Sequence, residues 1–400
     1  MKRKPFGLGG GLRAFLVAAV AVLGAMTLTT AADANTYTVS SCNNGVNHAW
    51  SPYWNSGVSN ITLGAACPGE YAPGKPSILY NQGLYVRNVS NTSYTPPGAG
   101  GGLKLTAPGG NTLASISGDW WVTRSAGSGF YSMMLGDWSV LDGCPASSAL
   151  CGADLNGRVI PLNGSSEVRI EVGCQNPAPG CYAANANQAI FEVYRADVVV
   201  NDNTSPSVSP AGSLWTGSWI SGAKTVTLNA SDGADGIQRT DLNIDGHTVA
   251  SQGHGCDYSS VTPCPTGVGD TFTFDTHQLS DGNHPIQAAT YDAAWLGGAL
   301  NGAINVDNHA PDMSATPVSV AQGTDWTPVN GFDLSWTNPG GQAAPIVKAH
   351  YSVCDAAAPT TCSVTDGQVA GNDVHSISGS RCHRLATTSC ACGSRTPPEM

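Results

Sequence analysis

The sequence predicts an all-β protein, a string of β-sandwich modules behind a cleaved leader. Three observations predict it. The first is composition. Only 11% of the 400 residues are charged, and Glu is confined almost wholly to Glu70, Glu167, Glu171 and Glu192. Helices favour Ala, Leu, Glu and Lys on their surfaces, so a chain poor in Glu and Lys and rich in Thr, Ser, Val and Gly favours strands. The second is period-two alternation, clearest in Val168, Ile170 and Val172, which share one face while Glu167, Arg169 and Glu171 share the other. The third is a junction that occurs twice. Val200-Asn201-Asp202-Asn203-Thr204-Ser205-Pro206 returns as Val306-Asp307-Asn308-His309-Ala310-Pro311. Each copy closes an apolar alternating stretch and restarts through a Pro, which begins strands but cannot sit within a central one. Two seams divide the chain into three modules.

Residues 1–34 read as a signal peptide. Lys2, Arg3 and Lys4 form a positive start, Ala14 to Leu28 an apolar middle, and Ala32-Asp33-Ala34 a small-residue cleavage pattern. An uncleaved membrane anchor is the competing reading, but the apolar run is interrupted by Gly24 and is short for a span. No second run of spanning length follows, so a mature chain without a membrane span is expected. The cysteines agree with export. Ten of the thirteen fall into neighbouring pairs: Cys42 with Cys67, Cys144 with Cys151, Cys174 with Cys181, Cys256 with Cys264, and Cys354 with Cys362. Structural zinc sites want shorter gaps, two pairs to a site, so disulfides are expected. The formal charge of -11, with no basic run, argues against nucleic acid as a partner.

The first module, residues 35–202, combines many short strands with Gly/Pro-rich turns and no helical period. Its length suits a jelly-roll or lectin-like sandwich. The loop Pro96-Pro97-Gly98-Ala99-Gly100-Gly101-Gly102 is a turn and no phosphate cradle, because no Lys-Ser or Lys-Thr follows it.

In the second module, residues 203–308, Lys224 to Asp232, Gly236-Ile237 and Asp245-Gly246 resemble the B–C region of bacterial immunoglobulin-like repeats. Asp281-Gly282-Asn283 leading to Tyr291-Asp292-Ala293-Ala294 is similar to their F strand, although Trp295-Leu296 stands where those repeats carry Gly-Asn. The resemblance implies a sandwich with a spacer or adhesive role and no catalytic residues. In the third module, residues 309–380, Phe332 to Pro339 and Ile346 to Val353 resemble strands B and C of a fibronectin type III domain. That resemblance implies core positions for Trp336 and Tyr351.

Residues 381–400 lack alternation and hold the three unpaired cysteines, Cys382, Cys390 and Cys392. They read as a disordered tail produced by a reading-frame shift. Back-translated with G/C-biased codons and begun at each third position, the stretch can read LPPPGDYILRVWLEDAAGN, a turn and strand with the Asp-Ala-Ala-Gly-Asn ending of the immunoglobulin-like repeats. A genuine polar tail is the alternative.

The chemistry-bearing residues are few. Glycoside hydrolysis needs two carboxylates within about 5–10 Å. Glu167 and Glu171 are the one close Glu pair, with Arg169 between them, and a solvated charge ladder explains them as well. The histidines are scattered, with no metalloprotease or nucleophile-elbow motif, so no catalytic set is expected. Aromatics of the first module suggest a glycan site, because sugar rings stack on exposed aromatic faces. Trp50, Tyr53 and Trp54 cluster early, and Trp120, Trp121, Tyr131 and Trp138 later. Adjacent Trp120 and Trp121 must point to opposite faces of a strand, so at most one is core. Core packing of all of them is the alternative. At the seams, Asp202 and Asp307, with Asn201, Asn203 and Asn308, resemble the calcium-binding linkers of cadherins. The acidic loop motif of those linkers is absent, and a solvated turn competes. No other cofactor is expected.

The sequence thus predicts a secreted or cell-surface binding or adhesion protein. Its first module would recognise an extracellular glycan or cell-surface polymer, and the others would form a stalk. The alternatives are a secreted polysaccharide-acting enzyme with its site in the first module, and a structural surface protein without ligand.

Overall fold

The structure is a computed structural model. It describes residues 35–42, 46–55, 60–67, 83–89, 94–125, 127–137, 139–146, 151–182, 185–186, 188–314, 316–323, 331–355, 362–380 and 390–393. The expected leader, Trp138 and Cys382 lie outside the described residues.

Among the described residues, eleven strands build the first sandwich. They are β1 (Asn35–Ser41), β2 (Ser51–Asn55), β3 (Ile61–Ala66), β4 (Gly83–Asn88), β5 (Gly100–Thr106) and β6 (Thr112–Arg124). After these come β7 (Phe130–Leu135), β8 (Val140–Cys144), β9 (Cys151–Ser165), β10 (Glu167–Cys174) and β11 (Ala189–Asp202). One sheet runs β3-β4-β11-β6-β9, with β1 also on β11; the other runs β2-β5-β10-β7-β8. Strand β11 is the spine of the first sheet, paired with β6 along one edge and with β4 and then β1 along the other. Alternation decides which side chains fill the space between the sheets. On β10, Val168, Ile170 and Val172 are fully buried, and Glu167, Arg169 and Glu171 turn outward. Phe130, Met134, Leu105, Phe191 and Val198 join them in one core.

The second sandwich is smaller. It contains β12 (Ser207–Ala211), β13 (Trp219–Ile220), β14 (Ala223–Ser231), β15 (Ile237–Ile244), β16 (His247–Gly253), β17 (Gly267–Asp275), β18 (Gly282–Asp292) and β19 (Gly297–Val306). These pair as β12-β14-β17 and as β13-β19-β18-β15-β16. Val226, Leu228, Leu242, Ile244, Ile286 and Ile304 supply its core. Asp245 and Gly246 both take positive φ, 53° and 78°, the backbone that a two-residue hairpin turn between β15 and β16 requires.

Beyond the second seam lie β20 (Ser319–Val320), β21 (Phe332–Ser335), β22 (Lys348–Asp355), β23 (Cys362–Ala370), β24 (Ser376–Ser380) and β25 (Cys390–Gly393). They form two three-stranded sheets, β20-β21-β24 and β23-β22-β25. Among the described residues, the buried apolar ones here are Leu334, Val353, Val374 and Ile377. Trp336 and Tyr351, expected in the core, are only half-buried. Trp336 donates its ring N–H to Asn338 at 2.8 Å, and Tyr351 lies across Gly367, where a Cβ would meet its ring. Four residues of the expected disordered tail, Cys390–Gly393, are instead strand-paired with β22. The rest of 381–400 lies outside the described residues.

All five neighbouring cysteine pairs stand as disulfides, with Cα atoms 4.8, 5.6, 5.6, 4.3 and 3.8 Å apart in chain order. Among the described residues, no helix is long and apolar enough to cross a membrane.

The first two sandwiches are in direct contact. The loop closed by Cys256 and Cys264 lies against β1: Ser40 donates its backbone N–H to Tyr258 O at 2.8 Å, and the Tyr37 hydroxyl donates to Val261 O at 2.7 Å. Tyr258, Val261 and Ala294 of the second sandwich pack against the core of the first.

Candidate functional site

The outer face of β2-β5-β10-β7 gathers aromatic rings around one carboxylate. On β5 and β10 the outward positions facing those rings are glycines, and the space that a side chain would take is filled by neighbours. A Cβ on Gly102 would meet the Tyr53 ring, one on Gly100 the Trp54 indole, and one on Gly173 the Tyr131 ring. The rings therefore lie flat across the sheet. Tyr53 and Trp54 are consecutive and would alternate between faces in a regular strand. The register of β2 against β5 slips between Pro52 and Trp54, a bulge that opposes two residues to one and lets both rings share the outer side.

Glu171 sits opposite Gly102 on one side and Met133 on the other. The Tyr53 hydroxyl donates to its carboxylate, and the Tyr131 hydroxyl faces the same group. Burial first, and then the Glu171 carboxylate, push both tyrosine hydroxyls above the usual tyrosine range, so both remain neutral donors. The Arg169 guanidinium lies 5.6 Å from the Tyr53 ring centroid, a cation–π contact. Beside these groups an open groove of about 410 Å³ is lined by Gly98, Tyr131, Met133, Glu171, Cys174 and Gln175.

Glu167 stands apart. It pairs with Lys104 at 3.0 Å and with Arg169 at 3.4 Å. It lies four positions along the strand from Glu171, roughly 13 Å at the usual rise, beyond the span of a glycosidase pair. The outward charges Lys104, Glu167 and Arg169 behave as the ladder that the sequence suggested.

Of the tryptophans expected at a ligand site, Trp54 reaches this face and is half-buried. Trp120 does not: it is fully buried in the core, and its ring N–H reaches Asp142 at 3.3 Å. Trp50 is also buried and donates to Ser41 at 3.0 Å. Trp120 is a core residue because the inward parity of its position on β6 places it between the sheets, and Trp50, just before β2, packs into the same core. Trp121 is half-buried on β6, in the opposite sheet from Trp54, so the two do not converge.

A second constellation lies at the first seam. Asp202 ends β11, Asp232 and Asp235 lie in the turn between β14 and β15, and Asp292 ends β18. Asp202, Asp235 and Asp292 are fully buried, and one oxygen from each lies within 4.8 Å of the others. Asp307, the other expected seam ligand, does not join them. Its two oxygens accept backbone N–H groups of His309 at 3.2 Å and Ala344 at 3.1 Å. Asp232 and Asp292 were legible in the sequence only as the ends of resemblance motifs, and Asp235 was not singled out. The run Asp-Gly-Ala-Asp-Gly at 232–236 is the one local signal that could have marked them.

No family model matches the chain. No curated protein matches it. Among solved structures, a GH2 β-galacturonidase from Eisenbergiella tayi bound to galacturonate aligns with a TM-score of 0.19 at 8% identity, covering 79% of this chain and 48% of that one. The same enzyme bound to glycerol gives 0.18 at 9%, covering 72% and 44%. Dimeric latent PorU from Porphyromonas gingivalis gives 0.21 at 12%, covering 83% and 33%. The chain thus spans less than half the length of these structures, and TM-scores of this size fall short of a shared fold.

Proposed function

We propose that the chain is an extracellular binding protein whose first sandwich takes a carbohydrate chain on the outer face of β2-β5-β10-β7, the following sandwiches serving as a stalk. The observation that carries this reading is the set of rings of Tyr53, Trp54 and Tyr131 laid over Gly102, Gly100 and Gly173 beside Glu171. Aromatic faces stack on the C–H surfaces of sugar rings, and a carboxylate held by neutral hydroxyl donors orients hydroxyl groups of the ligand. The five disulfides suit an oxidising compartment.

The test is a glycan array probed with the mature chain, followed by titration of whatever binds. Tyr131→Ala and Trp54→Ala are each expected to weaken binding about tenfold, the loss of one stacking contact, with the unfolding transition of the sandwich retained. Full affinity in both variants would remove the site from this face. Release of reducing sugar from a bound glycan would move the chain to the enzyme class.

A further inference from the structure

The geometry points to a calcium site built from both sandwiches, at the seam where Asp202, Asp232, Asp235 and Asp292 meet. Four carboxylates gathered in a protein interior repel one another and lose hydration, which is costly unless something offsets their charge. Hydrogen bonding does half of this. Asp202 Oδ1 accepts Thr204 N and Oγ1 at 3.0 and 2.9 Å, and Asp232 Oδ1 accepts Ala234 N at 2.6 Å. Asp235 Oδ2 accepts Ala294 N at 3.1 Å, and Asp292 Oδ1 accepts Ala294 N and Leu296 N at 3.0 and 2.8 Å.

In each case one oxygen is tied to the chain and the other is left over. The remaining oxygens, Asp202 Oδ2, Asp232 Oδ2, Asp235 Oδ1 and Asp292 Oδ2, are buried and have no hydrogen-bond partner. Asp202, Asp235 and Asp292 are each 0% exposed and Asp232 only 5%. Orphaned buried acceptors are costly, and four together call for a common partner.

The spacing suits a cation. Two oxygens on one calcium ion, each at about 2.3–2.6 Å, stand at most about 5 Å apart. One oxygen from each of Asp202, Asp235 and Asp292 meets that limit, all lying within 4.8 Å of one another. The donors are all hard oxygens without a sulfur or imidazole, which favours calcium over zinc. Several carboxylates at one point also exceed what magnesium, reluctant to shed its water, ordinarily takes. Asp232 adds a fourth charge, and water would complete the six to eight ligands.

The position gives the ion its work. Asp202 closes the last strand of the first sandwich, and the other three belong to the second. Around them, Tyr258, Val261 and Ala294 already pack against the first core. Calcium here would join the sandwiches into one rigid body, from donors that keep Asp202 of the seam pair the sequence suggested and leave out Asp307.

The test uses the mature chain, freed of metal with a chelator and titrated with calcium chloride, read by calorimetry and by thermal unfolding. The expected result is saturable binding of one ion, half-complete at or below about 1 mM, with a rise in Tm that tracks occupancy. Asp235→Asn and Asp292→Asn should each weaken the response at least about 100-fold. Because each removes a carboxyl that is costly to bury, whether ionised or forced to hold a proton, each should also raise the calcium-free Tm, an outcome that misfolding could not produce. Asp307→Asn should leave the calcium response intact. The inference is overturned if the wild-type chain shows neither heat nor a Tm rise up to about 10 mM calcium, well above the range of extracellular calcium modules. It is equally overturned if the Asp235→Asn, Asp292→Asn double variant keeps the response, or if zinc or magnesium stabilises the chain where calcium does not.

Discussion

With divalent cations chelated, the chain is expected to lose stability as the pH rises from about 4 to about 8. Most proteins in this range gain or hold stability, because their carboxylates are paired when ionised. Here the sign reverses. Burial first, then Asp202 and Asp232, push the Asp235 carboxyl up to about 7. Burial first, then Asp235 and Asp202, push Asp292 up to about 8. Asp232 is raised as well, chiefly by burial. Tyr37 and Tyr258 also face the cluster, and burial first, then the carboxylates, push both phenols up. An unfolded aspartate releases its proton near pH 4. Between there and about 8 the folded chain holds protons that the unfolded chain has lost, so raising the pH favours unfolding. The stabilisation is complete in acid, below about pH 4, and gone above about pH 8.

Each tenfold step in proton affinity is worth ~1.4 kcal/mol, so either of the two largest shifts alone corresponds to a loss on the order of 5 kcal/mol. Calcium should flatten the profile, because it binds the ionised form and gains affinity as protons leave. Scanning calorimetry across that pH range, with chelator and with calcium, reads both curves. A chelated Tm that climbs with pH would mean that the four carboxylates do not share one buried site.

Replacing Trp120 by alanine is expected to destabilise the first sandwich by ~3–5 kcal/mol, the usual consequence of emptying a large aromatic from a core. The indole is fully buried, one of the largest side chains in the central cluster with Phe130 and Phe191. Its removal also leaves the Asp142 carboxylate without the ring N–H it accepts at 3.3 Å. Trp54→Ala offers the contrast. That ring is half-buried on the outer face, so its loss should cost ligand affinity and little stability. Denaturant unfolding of both variants separates the roles. Near-wild-type stability in Trp120→Ala would show that the ring is not a core element.

Much of the architecture is legible in the residues themselves. The alternation of Val168, Ile170 and Val172 against Glu167, Arg169 and Glu171 specifies a strand with one buried face, because a period of two is intrinsic to the extended chain. The Asp245-Gly246 pair specifies its turn, because only a few residues tolerate positive φ. Four of the five disulfides join cysteines seven or eight residues apart, within reach of one local loop.

The candidate sites are different, because they depend on parity and on long-range register. Trp120 and Trp121 must oppose each other on β6, but which one faces inward follows from irregularities in pairing. The register shifts between Gly118 and Trp120 against β9, and between Val193 and Arg195 against β6. The bulge at Tyr53 likewise places two consecutive rings on one face, against the simple alternation that the sequence suggests. Asp202, Asp232, Asp235 and Asp292 come from a strand end, a turn and another strand end in two modules. No local pattern links positions that far apart. The sequence by itself determined the β-modules, their turns and their disulfides, since these follow from neighbouring residues. Which tryptophan is core, which rings share a face and which aspartates meet was decided only by sheet register and by the contact of two sandwiches, which bring distant residues together.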